Sequence, residues 1–325
     1  MKKLKQTKYI SGRESFFIEN KKKHPIIPLI IILVVISLLS YIVIKGLRMG
    51  QKPVLTKVTV ESDQLPKSFD GYKILQISDI YGKEFGDRQS KIRALLEGED
   101  YDMVLFTGDY MGDVKDSDYW VLRDILDCLK EDVPIYFILG DNDYTPSNVS
   151  SSSDKWKMCI IPPYSTAIMN FFIDKYNATF VYPAQIITNT AGDSIFLTGI
   201  SYDKKILNEL DFDPDLDFSI CVTHKPINYD VTKRLKDVNK RTLTEVDFDL
   251  LICGHTCGNQ YSMPILGTFY QADEGWFPQE NKIHGLSEDS AGRYTFINGG
   301  LGVESGFRIY SNPEIAIIEL KCPEE

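Results

Sequence analysis

The sequence predicts an α/β protein: a layered domain of buried strands and amphipathic helices, preceded by one transmembrane helix. Five short apolar runs are typical of buried strands, and each of them ends in a carboxylate or an imidazole. Helical patterns separate the first of these runs, and an uncharged run of twenty residues lies near the N-terminus. With 325 residues, 43% of them hydrophobic, the chain is long enough for one large domain with a substantial core.

The uncharged run at residues 25–44 predicts a membrane anchor. As a helix it would measure about 30 Å, which is enough to cross a bilayer, and no small-residue cleavage site follows it. Residues 1–24 hold eight Lys or Arg and two Glu, whereas basic residues are sparser beyond the run. Because the more basic flank stays cytoplasmic, we expect a single-pass protein of the cell membrane with a cytoplasmic N-terminus and an extracytoplasmic domain.

The remainder of the chain is predicted to contain a connecting segment and one domain. Residues 45–69 indicate a stalk and an edge strand, in which the β-branched residues Val54, Thr56, Val58 and Val60 recur at every second position. Residues 70–325 form the predicted domain. Helical patterns at Arg88–Leu96 and Asp118–Lys130 lie between its first strands, an alternation that favours βαβ units.

The charge of the predicted domain excludes one class of partner. Residues 50–325 contain 26 basic and 44 acidic residues, a net charge of −18. So acidic a domain repels nucleic acid and other polyanions except where a metal ion reverses the local field. We therefore expect no nucleic-acid partner, and we interpret the basic residues 1–24 as the cytoplasmic tail that sets the topology.

The predicted strands deliver metal-ligand side chains at their carboxyl ends. These are Asp79 after Lys73–Ser78, Asp109 after Met103–Thr107, Asp141 after Ile135–Leu139, His224 after Phe218–Thr223, and His255 after Leu251–Cys253. One Gly-Asp after a strand is usually only a turn or a helix cap. Five donors in succession, at the edge where α/β sheets form their sites, predict a site for a divalent metal.

The motifs at these strand ends resemble those of the calcineurin-like metallophosphoesterases. They are Asp79-Ile80-Tyr81, Gly108-Asp109, Gly140-Asp141-Asn142-Asp143, His224, and Gly254-His255-Thr256-Cys257. The likeness extends from about residue 72 to 318, and the segment that begins Asn298-Gly-Gly, with Arg308 and Asn312 beyond it, resembles the membrane-associated bacterial branch. The resemblance implies two packed mixed β-sheets flanked by helices. It also implies metal-dependent hydrolysis of a phosphoester or pyrophosphate, with lipid-linked or nucleotide-sugar phosphates as substrates.

The histidines depart from the family pattern. The family generally uses five site histidines, but the whole chain contains four, namely His24, His224, His255 and His284. Tyr81 stands where the family has a metal-binding His, Asn142 replaces a catalytic His, and Cys257 replaces the second His of Gly-His-x-His. The resemblance thus implies a degenerate metal site.

One of the two metal positions of the family remains well supplied with ligands. Its four predicted ligands are Asp109, Asp141, His224 and His255. The other position has Asp79 and the bridging Asp109, with Tyr81 and Cys257 as possible further donors. We therefore expect a divalent cofactor (Mn, Zn, Fe or Mg) with one firmly held ion and a doubtful second. A disulfide between Cys253 and Cys257 would remove that thiol from the site, and the sequence leaves this open.

The substitution at Asn142 leaves two functional hypotheses open. An Asn side chain donates a hydrogen bond but transfers no proton at neutral pH, and loss of a general acid typically costs ~10²–10⁴-fold in rate. The first hypothesis is a weakened hydrolase acting on a phosphorylated small molecule or a lipid-linked phosphate. The second is a catalytically inactive member of the fold, which binds a phosphorylated ligand or a partner at the cell surface.

Overall fold

A computed structural model describes most of the chain. It covers residues 26–112, 116–144, 163–182, 184–200, 218–226, 248–264, 266–271, 275–278, 284–289 and 292–323. The predicted basic tail at residues 1–24 lies outside the described residues. The chain divides into two compact units, Met1–Ile44 and Lys45–Glu325.

Helix α1, Ile26–Met49, contains the predicted anchor. It has 24 residues, and its most apolar stretch has a mean hydropathy of 3.0 with none of its residues buried. By length and composition, it is the one helix among the described residues that could cross a membrane. The helix continues five residues past Ile44 and ends before Gly50.

The second unit, Lys45–Glu325, is built mainly of strands. Its helices are α2 Ser90–Leu96, α3 Asp116–Leu126, α4 Asp141–Tyr144 and α5 Pro163–Tyr176. Its described strands are β1 Val54–Glu61, β2 Lys73–Ile77, β3 Met103–Phe106, β4 Ile135–Phe137, β5 Thr179–Phe180, β6 Ala184–Thr188, β7 Ser194–Ile200, β8 Ser219–Thr223, β9 Leu250–Cys253, β10 Tyr261–Met263, β11 Gly267–Gln271, β12 Gly275–Trp276, β13 Gly285–Glu288, β14 Tyr294–Ile297 and β15 Glu314–Lys321.

Most of these strands form two six-stranded mixed sheets. The first has the order β1-β15-β2-β3-β4-β5, and the second has the order β13-β14-β9-β8-β7-β6. In the first sheet β2 to β5 are parallel and β15 runs antiparallel to β2. In the second sheet β7, β8, β9 and β14 are parallel, and β6 and β13 are antiparallel to their neighbours. Strands β10, β11 and β12 form a separate small sheet.

The first sheet is buried on both faces. In β2, Ile74 packs in one core cluster with Val222 and Ile252 of the second sheet. Leu75 and Ile77 point to the opposite face, where they pack with side chains of α2, α3 and α5. Burial on both faces explains why these strands are continuous apolar runs without alternation. The predicted architecture of two packed mixed sheets flanked by helices is therefore confirmed.

One polar residue in β2 links the two sheets. The side-chain amide of Gln76 is fully buried, and its Nε2 donates at 3.0 Å both to Thr107 Oγ1 and to the Cys253 carbonyl. A buried amide needs such partners, since leaving it unbonded costs about 1–3 kcal/mol. The ends of β2, β3 and β9 are thereby held together, and these are the ends that carry Asp79, Asp109 and His255.

Candidate metal centre

The strand ends that deliver the predicted ligands share an unusual backbone conformation. Asp79, Asp109 and His255 have φ angles of 51°, 57° and 70°, in the left-handed region that side chains other than glycine rarely adopt. Of the eleven non-glycine residues with positive φ in the described part of the chain, six lie in these loops, the others being Tyr81, Cys257 and Asn259. Each such residue costs on the order of 1–3 kcal/mol, and this strain is typical of functional sites.

Two glycines allow the strand ends to approach one another closely. Gly108 has φ +100°, and a Cβ there would lie 2.5 Å from Gly140 N and 2.8 Å from His224 Nδ1. A Cβ on Gly254 would collide with the Ser78 hydroxyl. The glycine that precedes Asp109 and the glycine that precedes His255 are therefore required by packing as well as by the turn.

Three of the predicted ligands converge on one point. Asp109, His224 and His255 each offer a donor atom, and the three atoms lie within 4.8 Å of one another. His224 Nε2 lies 3.1 Å from Asp109 Oδ2 and 3.1 Å from His255 Nδ1. Donors that bind one metal ion at ~2.0–2.2 Å stand about 3.0–3.5 Å apart, so these separations fit a shared ion.

The second nitrogen of His224 determines how this ring is oriented. Nδ1 lies 2.8 Å from the carbonyl oxygen of Thr107, which can only accept, so Nδ1 carries the proton and donates it. In the neutral ring Nε2 is then free of hydrogen and faces Asp109 and His255, the arrangement commonly found for metal-binding histidines. Burial opposes the charged form of the ring, but the Asp109 carboxylate outweighs it and raises the pKa of His224 to about 10.

Asp79 lies beside these three residues, and one of its carboxylate oxygens lacks a hydrogen-bond partner. Its carboxylate is fully buried, and Oδ2 accepts hydrogen bonds from the Ser78 hydroxyl at 2.5 Å and from the His255 backbone N–H at 2.9 Å. Its other oxygen, Oδ1, is buried without a hydrogen-bond partner. Burial accordingly raises the pKa of Asp79. A buried acceptor without a donor fits a cation, because a metal ion would replace the missing hydrogen bond.

The Asp141 carboxylate forms a salt bridge with Lys225. Its Oδ2 lies 2.7 Å from Nζ of Lys225, and both side chains are about one third exposed. Asp141 is thus not among the three residues whose donors converge, and its role as a fourth ligand stays a prediction. The next residue, Asn142, donates its backbone N–H to Asp109 Oδ1 at 2.9 Å, and this orients the Asp109 carboxylate.

Tyr81 and Cys257, the possible ligands of the second position, are both adjacent to the centre. The Tyr81 hydroxyl donates a hydrogen bond to Asp109 Oδ2, and burial raises the pKa of this phenol. The Cys257 thiol is buried, and burial raises the pKa of its thiol as well. Cys257 is a free cysteine, as is Cys253, so the open possibility of a disulfide between them is not realised.

Asp143 has a role that sequence reasoning missed. Its carboxylate is fully buried and accepts three backbone hydrogen bonds: from Asp109 and Gly140 at 2.8 Å each, and from Tyr110 at 3.0 Å. Burial raises the pKa of Asp143 to about 7 despite these donors. The residue ties the loop after β3 to the loop after β4. The motif alone placed an acid at this position but did not indicate what it would contact.

The segment that begins at Asn298 supports the opposite side of the centre. The buried Arg308 guanidinium donates to the carbonyls of Gly299 at 2.8 Å, Gly300 at 3.1 Å and Gly302 at 2.5 Å. The Gly302 N–H in turn donates to the carbonyl oxygen of Asp79. Arg308 therefore holds the loop against which Asp79 is fixed, which explains a buried cation in an otherwise acidic domain.

His284 is the remaining histidine among the described residues, and it lies apart from the convergent donors. Its Nε2 lies 2.7 Å from Oε2 of Glu314, and its side chain is 41% exposed. Glu314 also accepts a hydrogen bond from the Gly299 backbone N–H at 2.7 Å. His284 thus serves as a structural partner of a buried carboxylate, and no motif in the sequence indicated that partner.

The chemistry of these donors fits a divalent ion. One carboxylate and two imidazoles converge, and a further buried carboxylate oxygen without a donor lies alongside. Such a mixture of oxygen and nitrogen donors suits Zn, Mn or Fe. The residues that could hold the ion are Asp109, His224 and His255, and the donor set does not select among these metals.

The two packed sheets carry candidate donors for a divalent metal at the carboxyl ends of their strands. The family described as calcineurin-like phosphoesterase matches residues 72–259, more than half of the chain. The chain belongs to this calcineurin-like phosphoesterase family. Membership in the family implies a divalent metal cofactor.

Two bacterial proteins are similar to this chain in sequence. The chain is 25% identical over 279 residues to the uncharacterized metallophosphoesterase YkuE of Bacillus subtilis (strain 168), a match that covers 82% of this chain and 85% of YkuE. It is 30% identical over 83 residues to the phosphodiesterase YaeI of Escherichia coli (strain K12), covering 25% of this chain and 28% of YaeI. Among solved structures, TT1561 of Thermus thermophilus is similar with a TM-score of 0.38 and 11% identity, over 71% of this chain and 90% of TT1561.

Proposed function

We propose that this protein is a membrane-anchored metallophosphoesterase that hydrolyses a phosphoester or pyrophosphate with reduced efficiency. The observation that carries the proposal is the convergence of Asp109, His224 and His255, with the unsatisfied Asp79 Oδ1 beside them. Its substrate is a phosphorylated small molecule or a lipid-linked phosphate. Asp141 completes the ligand set once its carboxylate turns from Lys225 to the ion.

Groups around the three convergent donors orient the Asp109 carboxylate and suit the substrate phosphate. In the reaction a water oxygen bonds to phosphorus, the bond to the leaving oxygen breaks, and that oxygen takes up a proton. A divalent ion held by Asp109, His224 and His255 would polarise a phosphoryl oxygen and make a water molecule more acidic. The Tyr81 hydroxyl and the Asn142 backbone N–H orient Asp109. The Lys225 ammonium, next to His224 in the chain, suits a phosphate oxygen.

The reduced efficiency follows from the side chain at position 142. Asn142 cannot give a proton to the leaving oxygen at neutral pH, so solvent must supply it. Loss of a positioned acid lowers the rate by ~10²–10⁴-fold. Substrates with good leaving groups need the acid least, and we expect them to be turned over fastest.

A second candidate function is binding without turnover. It is favoured by the two contacts that occupy potential ligands, namely Tyr81 with Asp109 and Lys225 with Asp141. In that case the protein binds a phosphorylated ligand or a partner at the cell surface. The two functions differ in turnover and agree in the binding of phosphate.

The anchoring part of the proposal is supported by α1 and by the charges around it. Residues 1–24 carry most of the flanking positive charge, which favours a cytoplasmic N-terminus and an extracytoplasmic domain. Protease added to intact cells should then cleave the domain, while a tag at the N-terminus stays protected. Protection of the domain in intact cells would contradict this orientation.

Hydrolysis of an activated aryl phosphate by the full chain in detergent tests the catalytic proposal. We expect slow turnover that a chelator abolishes, that added Mn²⁺ or Zn²⁺ then restores, and that is lost in His255→Ala. His284→Ala is the matched control, since His284 lies apart from the convergent donors, and it should retain turnover. Turnover equal to buffer in the metal-loaded protein contradicts the hydrolase and favours the binding protein.

A further inference from the structure

The small sheet carries an exposed apolar surface, which we call the aromatic patch. It comprises five large apolar side chains with these exposed fractions: Met263 39%, Leu266 77%, Trp276 62%, Phe277 77% and Phe307 52%. Single exposed apolar side chains are normal on protein surfaces, whereas a contiguous group of them marks a surface that something else covers.

Ring contacts connect two members of this patch, Trp276 and Phe307. The ring of Tyr261 lies 6.1 Å from that of Trp276 and 5.3 Å from that of Phe307, measured between centroids. Trp276 also stacks on Phe269 at 6.0 Å, and the Phe277 N–H donates to the Phe269 carbonyl at 2.8 Å. The rings of Trp276 and Phe307 therefore belong to one aromatic group, joined through Tyr261 of β10.

Backbone hydrogen bonds connect the segment around Phe307 to β10 and to the last turn of α1. Ser262 N donates to the Ile309 carbonyl, and Tyr310 N donates to the Gly46 carbonyl at 3.1 Å. Phe307 is three residues from Tyr310, and Gly46 is two residues past the uncharged run. Even a fully extended segment therefore keeps Phe307 within roughly 20 Å of the end of that run.

The charges near this end of α1 suit lipid headgroups. Lys45, Arg48 and Lys52 are exposed, and they are basic residues in a domain that is otherwise acidic. Basic side chains beside a membrane span bind anionic headgroups, and Trp and Phe are typical of the boundary between headgroups and acyl chains. Apolar rings and basic side chains that lie this close together match the headgroup region of a phospholipid bilayer.

We propose that the aromatic patch docks on the phospholipid bilayer in which α1 is anchored, with Trp276 and Phe277 at headgroup depth. This inference rests on the proposed anchor and goes beyond it, because a transmembrane helix alone would not fix the orientation of the domain at the membrane. His255 is six residues from Tyr261, so even an extended segment keeps it within roughly 22 Å of this residue, whose ring contacts Trp276 and Phe307. The centre then receives phosphates that are presented at the headgroups.

Fluorescence quenching by lipid tests this docking in the full chain. The chain is reconstituted in vesicles of phosphatidylcholine and phosphatidylglycerol that contain a lipid with a nitroxide near its headgroup. One variant keeps Trp276 as its single tryptophan, through Trp120→Phe and Trp156→Phe. The matched control keeps Trp120, which is 58% exposed on α3, through Trp156→Phe and Trp276→Phe.

We expect the nitroxide to remove most of the Trp276 emission and little of the Trp120 emission. Adding Phe277→Ser and Phe307→Ser to the Trp276 variant should restore much of the lost emission, since both side chains are exposed and their replacement spares the core. Equal quenching of Trp276 and Trp120 in chains that float with the vesicles overturns the docking while the anchor stands. Chains that fail to float with the vesicles contradict the anchor and the docking together.

A second copy of the chain is the other possible occupant of the patch, and the same preparation detects it. Cross-linking that joins two chains through β10 to β12, together with unquenched Trp276, would assign the patch to self-association. That result also overturns docking on lipid.

Discussion

The carboxylate of Asp143 accepts a hydrogen bond from the backbone N–H of Asp109 at 2.8 Å. A residue of α4 thus holds the backbone of a predicted metal ligand that sits in a strained conformation, with φ of 57°. The proposed centre therefore depends on the internal support of its loops as well as on the donor side chains themselves.

Asp143→Ala should destabilise the protein strongly. It leaves three buried backbone N–H groups without an acceptor, each costing about 1–3 kcal/mol, so we expect a loss of roughly 3 kcal/mol or more. Unfolding of the full chain in detergent, followed by circular dichroism, measures the change. The exposed Asp63 provides the control, and Asp63→Ala should change stability by less than about 0.5 kcal/mol. Equal stability of the two variants would show that Asp143 does not support the loops.

Lys225→Met should strengthen metal binding. The substitution removes the cation 2.7 Å from Asp141 and frees this carboxylate for an ion. Since both side chains are partly exposed, we expect the free energy of metal binding to become more favourable by about 1 kcal/mol, which lowers the Kd roughly fivefold. Titration calorimetry with Mn²⁺ or Zn²⁺ measures it, with Lys130→Met as the control, because Lys130 forms a similar pair with Asp100. Weaker binding by Lys225→Met would exclude Asp141 as a ligand.

Asn142→His should raise turnover. A histidine at this position can give a proton to the leaving oxygen, and we expect a gain of about tenfold or more on substrates with poor leaving groups. Asn142→Gln is the control, since it enlarges the side chain without adding an acid. If the two variants match the wild type, the limiting defect is the incomplete second metal position and not proton donation.

The pair of His284 and Glu314 predicts a pH dependence of stability. The hydrogen bond to Glu314 raises the pKa of His284 above 6.5. Burial alone would raise the pKa of Glu314, but the bond from His284 outweighs it and lowers this pKa below 4.5. Arg308 is the other charged group that acts on His284, and the Thr56 hydroxyl also bonds Glu314.

The pH dependence of stability follows from the directions of these two pKa shifts. The contribution of His284 is fully present below pH 6.5 and is lost as the pH rises through its folded pKa. The contribution of Glu314 is present above pH 4.5 and is lost as the pH falls through its folded pKa. His284→Gln should therefore destabilise most between pH 4.5 and 6.5, by at most about 1 kcal/mol because 41% of the side chain is exposed. An effect that grows toward alkaline pH would contradict the ion pair.

The fold could be predicted from the sequence because its strands are buried on both faces. Burial on both faces requires continuous apolar runs, and residues such as Asp79 and His224 stand out where those runs end. Strands β2, β3 and β4 end one or two residues earlier than predicted, since their last residues already belong to the site loops. The contacts of Asp143 and Lys225 could not be predicted, because their partners are distant in the chain and only the packing of separate strand ends brings them together.

The most direct test of the metal centre is the metal content of the purified full chain and of His224→Ala, measured by mass spectrometry. We expect about one equivalent or more of a divalent transition metal in the wild type and in His284→Ala. His224→Ala should keep its circular dichroism spectrum and lose the metal. If His224→Ala retains as much metal as the wild type, then Asp109, His224 and His255 do not share an ion.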